Sequence, residues 1–171
     1  MKEASPADTP VIRIATLSDV AAIFDLIREN PEELITRSFN DLVQNIDRFF
    51  VAEVGDRIVG CASWGILPEI GDISHTSVEI KSVAVQSNWR GRDIGSRLVK
   101  AVIDRVLPLR VAQLLVLTFS PAFFAKLGFA EIPKTQIMHK IYMGCINCTK
   151  HADPFTCPEV AMTLVPERPR T

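Results

Sequence analysis

Between residues 78 and 107 the hydrophobic period of the chain changes once, and that change constrains the fold more than any other feature. "VEIKSVAVQ" (78–86) has the β-branched, apolar character of a strand. "IGSRLVKAVIDRVL" (94–107) places Ile94, Leu98, Val102 and Val106 at helical spacing, which predicts an amphipathic helix. The join between them carries Arg90, Gly91, Arg92 and Asp93, and Gly95 falls at the start of the helix. A strand that enters a helix through such a turn leaves backbone N–H groups without helical partners. Those donors and the helix dipole favour a phosphate or pyrophosphate, and consecutive turn amides add a concave nest of the same sign. Glycine lets the backbone approach a ligand, and arginine adds forked donors. The same residues also describe a capped helix behind a solvated basic turn, so the pattern alone leaves both open.

The flanking segments supply the rest of an α+β domain. Residues 11–16 alternate and predict a strand. Ser18 is the expected N-cap of a helix with Val20, Ile23, Phe24 and Ile27 on one face, broken by Pro31. A second short helix is expected over 38–47, with Phe39, Leu42, Val43 and Ile46 on one side. Strands follow at 48–54 and 57–67, joined through Gly55 and Asp56, and 68–77 is expected to be a polar loop. The apolar run 111–119 predicts a strand buried on both faces. A short helix is expected over 121–128, with Pro121 in its first turn and Gly128 after its last. Further strands are expected near 129–132 and 159–165. The order β-α-α-β-β-β-α-β-α-β-β implies one mixed central sheet with helices on both faces. Residues 1–10 and 166–171 are expected as flexible tails around a single domain over 11–165.

The turn resembles motif A of the GNAT superfamily of acyl-CoA-dependent N-acetyltransferases, R/Q-x-x-G-x-G/A. Arg90 takes its first position and Gly95 its last. Asp93 stands where the motif has its middle glycine, and Gly91 offers flexibility nearby. "VLTFSPAFFAKLGFAEI" resembles the family's segment from the fifth strand through the "FxxxGF" join. The C-terminal "HKIYMGCINC" with "CPEVAM", and "LITRSFNDLVQNIDRFFVAE" upstream, are similar to short single-domain N-acetylglutamate synthases, the amino-acid N-acetyltransferases of arginine biosynthesis. The resemblance covers most of 11–165 and implies a GNAT fold.

It further implies acetyl-CoA as co-substrate, bound by the backbone around Val83, Ala84 and Val85. The pyrophosphate would sit on Arg90, Gly91, Arg92, Asp93, Ile94, Gly95 and Ser96. A bulge in the strand before this turn would open the pantetheine slot. The implied reaction is direct attack by the α-amine of a small amino acid, L-glutamate, in a ternary complex. Glu79 would be the general base, and Arg37 and Lys81 the cations for the acceptor's carboxylates. The family's usual tyrosine acid is replaced by Phe124, a residue type suited to the core or to the slot wall. Tyr142 is the only tyrosine, and Ser120 is a weaker candidate. Thiolate is a fair leaving group without help, with a reference pKa of about 8.5. Structural alternatives remain: an exposed or salt-bridged strand carboxylate for Glu79, solvated surface charges for Arg37 and Lys81, and for Lys81 also a pairing across the sheet.

Cys61, inside an apolar run, is expected in the core. Cys145, Cys148 and Cys157, with His151 between them, could supply four zinc ligands, but one C-x-x-C and a lone thiol fit reduced cysteines better, so no metal is expected. His75 is expected in a loop and His139 in a structural role. A net charge of -1 argues against a nucleic-acid partner, and no apolar run is long enough to span a membrane. The default location is cytoplasmic, and a homodimer is compatible with the family. Two alternatives stand beside the synthase: an N-acetyltransferase for another small amine or a protein N-terminus, and a non-catalytic acyl-CoA-binding regulatory module.

Overall fold

The helical stripe expected after the glycine turn forms as helix α3, Ile94–Val106, in the computed structural model, which describes residues 9–69 and 72–167. Ile94, Leu98, Val102 and Val106 are all buried, as their spacing requires. The other elements, in chain order, are β1 (Val11–Ile14), α1 (Val20–Arg28), α2 (Phe39–Gln44), β2 (Phe49–Val54), β3 (Arg57–Glu69) and β4 (Asp72–Val85) before α3. After it come β5 (Gln113–Thr118), α4 (Pro121–Ala125), β6 (Ala130–Glu131), α5 (Met138–Met143) and β7 (Val160–Leu164). The described strands form a seven-stranded mixed sheet, ordered β1-β2-β3-β4-β5-β7-β6. The β4–β5 pair is parallel, with Glu79 opposite Leu115, and β5 runs antiparallel to β7. Leu114, Leu115 and Val116 are buried, which fits the uninterrupted apolar run of β5.

The chain divides into two units, each built from two separate stretches. One takes in the chain through Trp64 and Lys81–Arg105. Its core gathers Ile23, Leu26, Ile27, Leu42, Phe49, Val51 and Cys61. Here α3 comes close to β3: a Cβ on Gly60 would lie 3.0 Å from Leu98 Cδ1 and 3.1 Å from the Ala84 carbonyl oxygen. The second unit takes in Gly65–Ile80 and the chain from Val106. Its core packs Leu67, Leu115, Ile137, Ile141 and Ala161.

Several expectations change. Ser18 does not cap α1. It lies inside a 3-10 turn, Leu17–Asp19, where the Asp19 carboxylate accepts from the Thr16 backbone N–H at 2.7 Å, and Asp19 stands at the N-cap of α1 without a side-chain cap bond. Asp accepts more strongly than a serine hydroxyl, and Arg13 holds it in place. On α2, Leu42 is buried but Phe39 and Val43 are exposed, because six residues give too narrow a face to bury all four. Phe39 keeps an edge-on contact with Phe24. The expected polar loop at 68–77 is instead the end of β3 and the start of β4, with 70 and 71 outside the described residues. Polarity there marks an exposed strand, as at Ser74 and His75, and not a loop. Helix α5 was not expected, being six residues long and without a side-chain cap. Most of the two expected tails, 1–8 and 168–171, lies outside the described residues.

Arg13 carries a prediction about acid stability. Its guanidinium donates to both Asp19 oxygens, at 2.7 and 2.9 Å, and its Nε to Glu53 Oε2 at 2.7 Å. The Arg13 hydrogen bond holds the Asp19 carboxyl at about 2, against the opposing effect of burial. A carboxyl depressed in the folded state contributes stability above its unfolded pKa and loses it as pH falls toward the folded value. The pair therefore contributes about 2 kcal/mol at neutral pH, lost between about pH 4 and 2. Asp19→Asn is expected to remove that amount at pH 7 and to flatten this part of the acid limb, as read by urea unfolding across pH.

Candidate active site

Strand β4 reaches the basic turn through an irregular residue. Ser82 has φ +54, rare for a residue other than glycine and a break in the regular strand conformation. Cys61 Sγ donates to the Ser82 carbonyl at 3.3 Å, and Ser63 Oγ donates to the Lys81 carbonyl at 3.0 Å. Cys61 is fully buried, as expected, and burial pushes its thiol up to about 12.

Arg37 lies between α1 and α2 and reaches the same residue, Ser82. Its Nη1 donates to Ser63 Oγ and Ser82 Oγ, both at 3.3 Å, and its Nε to Asp41 Oδ2 at 2.5 Å. The guanidinium carbon stands 5.1 Å from the centre of the Phe49 ring. With its side chain only 11% exposed, Arg37 is not a solvated surface charge. The Arg37 hydrogen bond holds the Asp41 carboxyl below its usual range, and the charge of Lys81 adds to this. Arg37 and Lys81 thus both bear on the Asp41 carboxylate, Arg37 by direct contact and Lys81 by its charge.

Downstream, a 3-10 turn at Ser87–Trp89 leads into the glycine turn. Arg90 Nε donates to the Val85 carbonyl at 3.1 Å, and its Nη2 to Asn30 Oδ1 at 2.6 Å. Arg92 stacks over the Trp89 ring at 4.5 Å. Both Gly91 and Asp93 have left-handed backbones, φ +77 and +61. Asp93 holds this conformation although it is not glycine, and aspartate tolerates it better than most residues. The Asp93 carbonyl accepts from Arg97 N at 3.1 Å and starts α3. The amides of Ile94, Gly95 and Ser96 precede the first helical bond, and Ile94 itself is buried.

Glu79 belongs to the other unit. It is 7% exposed, and its Oε1 lies 2.7 Å from Lys140 Nζ. Two residues earlier, Ser77 Oγ lies 3.2 Å from His139 Nε2 and accepts from Gln113 Nε2 at 3.0 Å. His139 is thus a buried structural residue, as expected, whereas His75 lies in β4. Sequence patterns gave no signal for Lys140. Only the helical period of "MHKIYM", with His139 and Ile141 buried, places it on α5. Phe124 is buried, edge-on to Phe123 and Phe129, so it is a core residue. Tyr142 is exposed on α5.

The four cysteines are free thiols. No group of three or more His, Cys, Asp or Glu side chains among the described residues could hold a metal ion. Burial raises the Cys145 and Cys157 thiols above their usual range. No helix among the described residues is long and apolar enough to cross a membrane.

A family model described as an acetyltransferase (GNAT) domain matches residues 45–131, which takes in β2 to β4, the glycine turn, α3 and β5. The chain belongs to the GNAT family of N-acetyltransferases. An uncharacterized N-acetyltransferase of Chlorobaculum tepidum is 31% identical over 92% of this chain and 97% of its own length. The amino-acid acetyltransferase of Mycobacterium tuberculosis is 32% identical over 78% of this chain and 75% of its own. The crystal structure of Rv2747 from M. tuberculosis, in complex with CoA, superposes with a TM-score of 0.75 at 27% identity, covering 92% of this chain and all of that one. N-acetylglutamate synthase from Neisseria gonorrhoeae shares the fold, with a TM-score of 0.75 at 23% identity. This GNAT chain corresponds to 36% of that protein and to 28% of the amino-acid acetyltransferase of Aliivibrio fischeri.

Proposed function

We propose that the chain transfers acetyl from acetyl-CoA to the α-amine of a small amino acid, L-glutamate, by direct attack in a ternary complex. The observation that carries the proposal is the buried Glu79, on the strand that leads past Ser82 into the R-G-R-D-I-G turn. The amino-acid acetyltransferases among the relatives support the acceptor class. Coenzyme A in the M. tuberculosis structure supports the donor.

Backbone groups of Val83, Ala84 and Val85 would pair with the pantetheine amides as an added strand pairs with a sheet edge. Arg90, Gly91, Arg92, Asp93 and the first amides of α3, at Ile94, Gly95 and Ser96, would hold the pyrophosphate. The Val85 carbonyl accepts from Arg90 Nε, which ties the pantetheine strand to the pyrophosphate turn. Glu79 takes one proton from the acceptor's ammonium, which frees the nitrogen lone pair. The amine attacks the thioester carbonyl carbon, the C–N bond forms and the C–S bond breaks. A second nitrogen proton ends on the departing sulfur as free CoA, and the proton on Glu79 returns to solvent. Phe124 cannot supply a proton, and a thiolate leaving group of pKa about 8.5 needs none to depart. Arg37 and Lys81 would bind acceptor carboxylate, with Asp41 balancing their charge in the free protein.

A thiol-release assay with acetyl-CoA and a panel of amino acids and polyamines tests the proposal. Glutamate-dependent release is the expected result. Release with another amine overturns the acceptor and keeps the transferase. Tight CoA binding without turnover of any amine replaces the enzyme with a regulatory acyl-CoA-binding module.

A further inference from the structure

Lys140 has no part in the chemistry above, yet its ammonium lies 2.7 Å from the proposed base, with side-chain exposures of 15% for Lys140 and 9% for Glu79. Burying two charges is costly, and apolar residues of similar volume often hold a fold as well as an ion pair does. Packing does not call for this pair. Helix α5 is already fixed by Ile141, buried with Ile137, Leu67 and Leu115, and by the His139–Ser77 contact to β4.

The ammonium also needs a concession from its own helix. Lys140 folds back over the end of α5, where a Cβ on Gly144 would lie 2.8 Å from Nζ. Gly144 has φ -134 and ψ -49, outside the left-handed region that favours glycine. Its missing side chain leaves the space that Nζ occupies.

A carboxylate beside an ammonium is the complement of a zwitterion. An α-amino acid carries its ammonium and carboxylate on one carbon. It can present the first to Glu79 and the second to Lys140, exchanging one internal ion pair for two. We propose that Glu79 and Lys140 form a zwitterion clamp, in which Lys140 binds the α-carboxylate of the acceptor whose amine Glu79 receives. The clamp rests on the role of Glu79 proposed above, and it restricts the acceptor to amino acids with a free α-carboxylate. A simple amine or polyamine would take Glu79 and leave the Lys140 ammonium buried without a counter-charge. Sites with buried polar groups reject ligands that leave those groups unpaired. Without acceptor the two side chains close on each other, so neither charge is left uncompensated.

Steady-state kinetics on the full chain tests the clamp, comparing L-glutamate with 4-aminobutanoate, the same molecule without its α-carboxylate. Lys140→Met is expected to raise the glutamate KM at least tenfold with kcat changed less than threefold. It leaves kcat/KM for 4-aminobutanoate unchanged or higher, so discrimination falls at least tenfold. Lys140→Arg keeps most of the discrimination, and Gly144→Ala, which crowds Nζ off Glu79, loses part of it. An equal loss on both substrates, or unchanged discrimination in Lys140→Met, overturns the clamp. Thermal unfolding checks the fold; if Lys140→Met alone unfolds, discrimination in Glu79→Gln/Lys140→Met is compared with that in Glu79→Gln, and an equal ratio in the two overturns the clamp. If no acceptor turns over, calorimetry with glutamate on CoA-loaded protein decides: binding lost in Lys140→Met upholds the clamp, and no binding to the native chain overturns it. Failure of the base is seen separately, as undiminished kcat in Glu79→Gln.

Discussion

Glu79→Gln is expected to lower kcat on the acceptor amino acid by about a hundredfold while CoA binds as before, since general base catalysis is worth roughly 10²–10⁴. Glutamine matches glutamate in shape, and its amide oxygen can still accept from Lys140 Nζ. The β4–α5 contact therefore survives, and a change in melting temperature of more than a few degrees would point to a structural effect instead. What glutamine cannot do is take a proton. The acceptor's ammonium must lose one before nitrogen can attack, so the variant depends on the small fraction of amine already neutral. That fraction grows with pH. The defect should therefore shrink as pH rises toward the acceptor's own amine pKa, a trend that mere loss of packing would not produce. Equal kcat for variant and native chain at every pH would remove Glu79 as the base.

The second large effect is expected at Asp93. Its carboxylate stands in a turn proposed to hold a pyrophosphate, so each bound phosphate charge meets one charge of its own sign. At a separation near 6 Å in a water-exposed turn, each such pair costs on the order of 1 kcal/mol. Asp93→Asn removes the charge and keeps a residue that tolerates φ +61. CoA should bind about five- to tenfold tighter at low salt, with the gain shrinking as salt screens the repulsion. Stability of the free protein should stay within about 0.5 kcal/mol. Asp93→Val, by contrast, must force a β-branched residue into the left-handed region and should lose about 1–2 kcal/mol of stability. Calorimetric titration with CoA at two salt concentrations separates these effects. An Asn variant with unaltered affinity would place the anion elsewhere.

The glycine turn and its helix were legible because both are local. Ile94, Leu98, Val102 and Val106 repeat within one helix, and every one of them is buried. Strand β5 was legible for a similar reason: a central strand covered on both faces has to be apolar along its middle, as at Leu114, Leu115 and Val116. The start of β4 was not, since residues 74–77 are polar on a strand with an exposed stretch, and polarity reports the surface more directly than it reports a loop. Nor was α5, whose six residues include only His139 and Ile141 in buried positions.

By itself the sequence determined the family, the turn that opens α3 and the residue types present along β4. Tertiary structure decided which charges are buried and with which partners. Arg37 meets Ser82 across 45 residues, and Glu79 meets Lys140 from a strand to a distant helix. Helical and strand periods describe which way a side chain faces along its own element. Whether a charge is paired depends on distances of a few ångströms between elements, and those are fixed only when the sheet and helices pack.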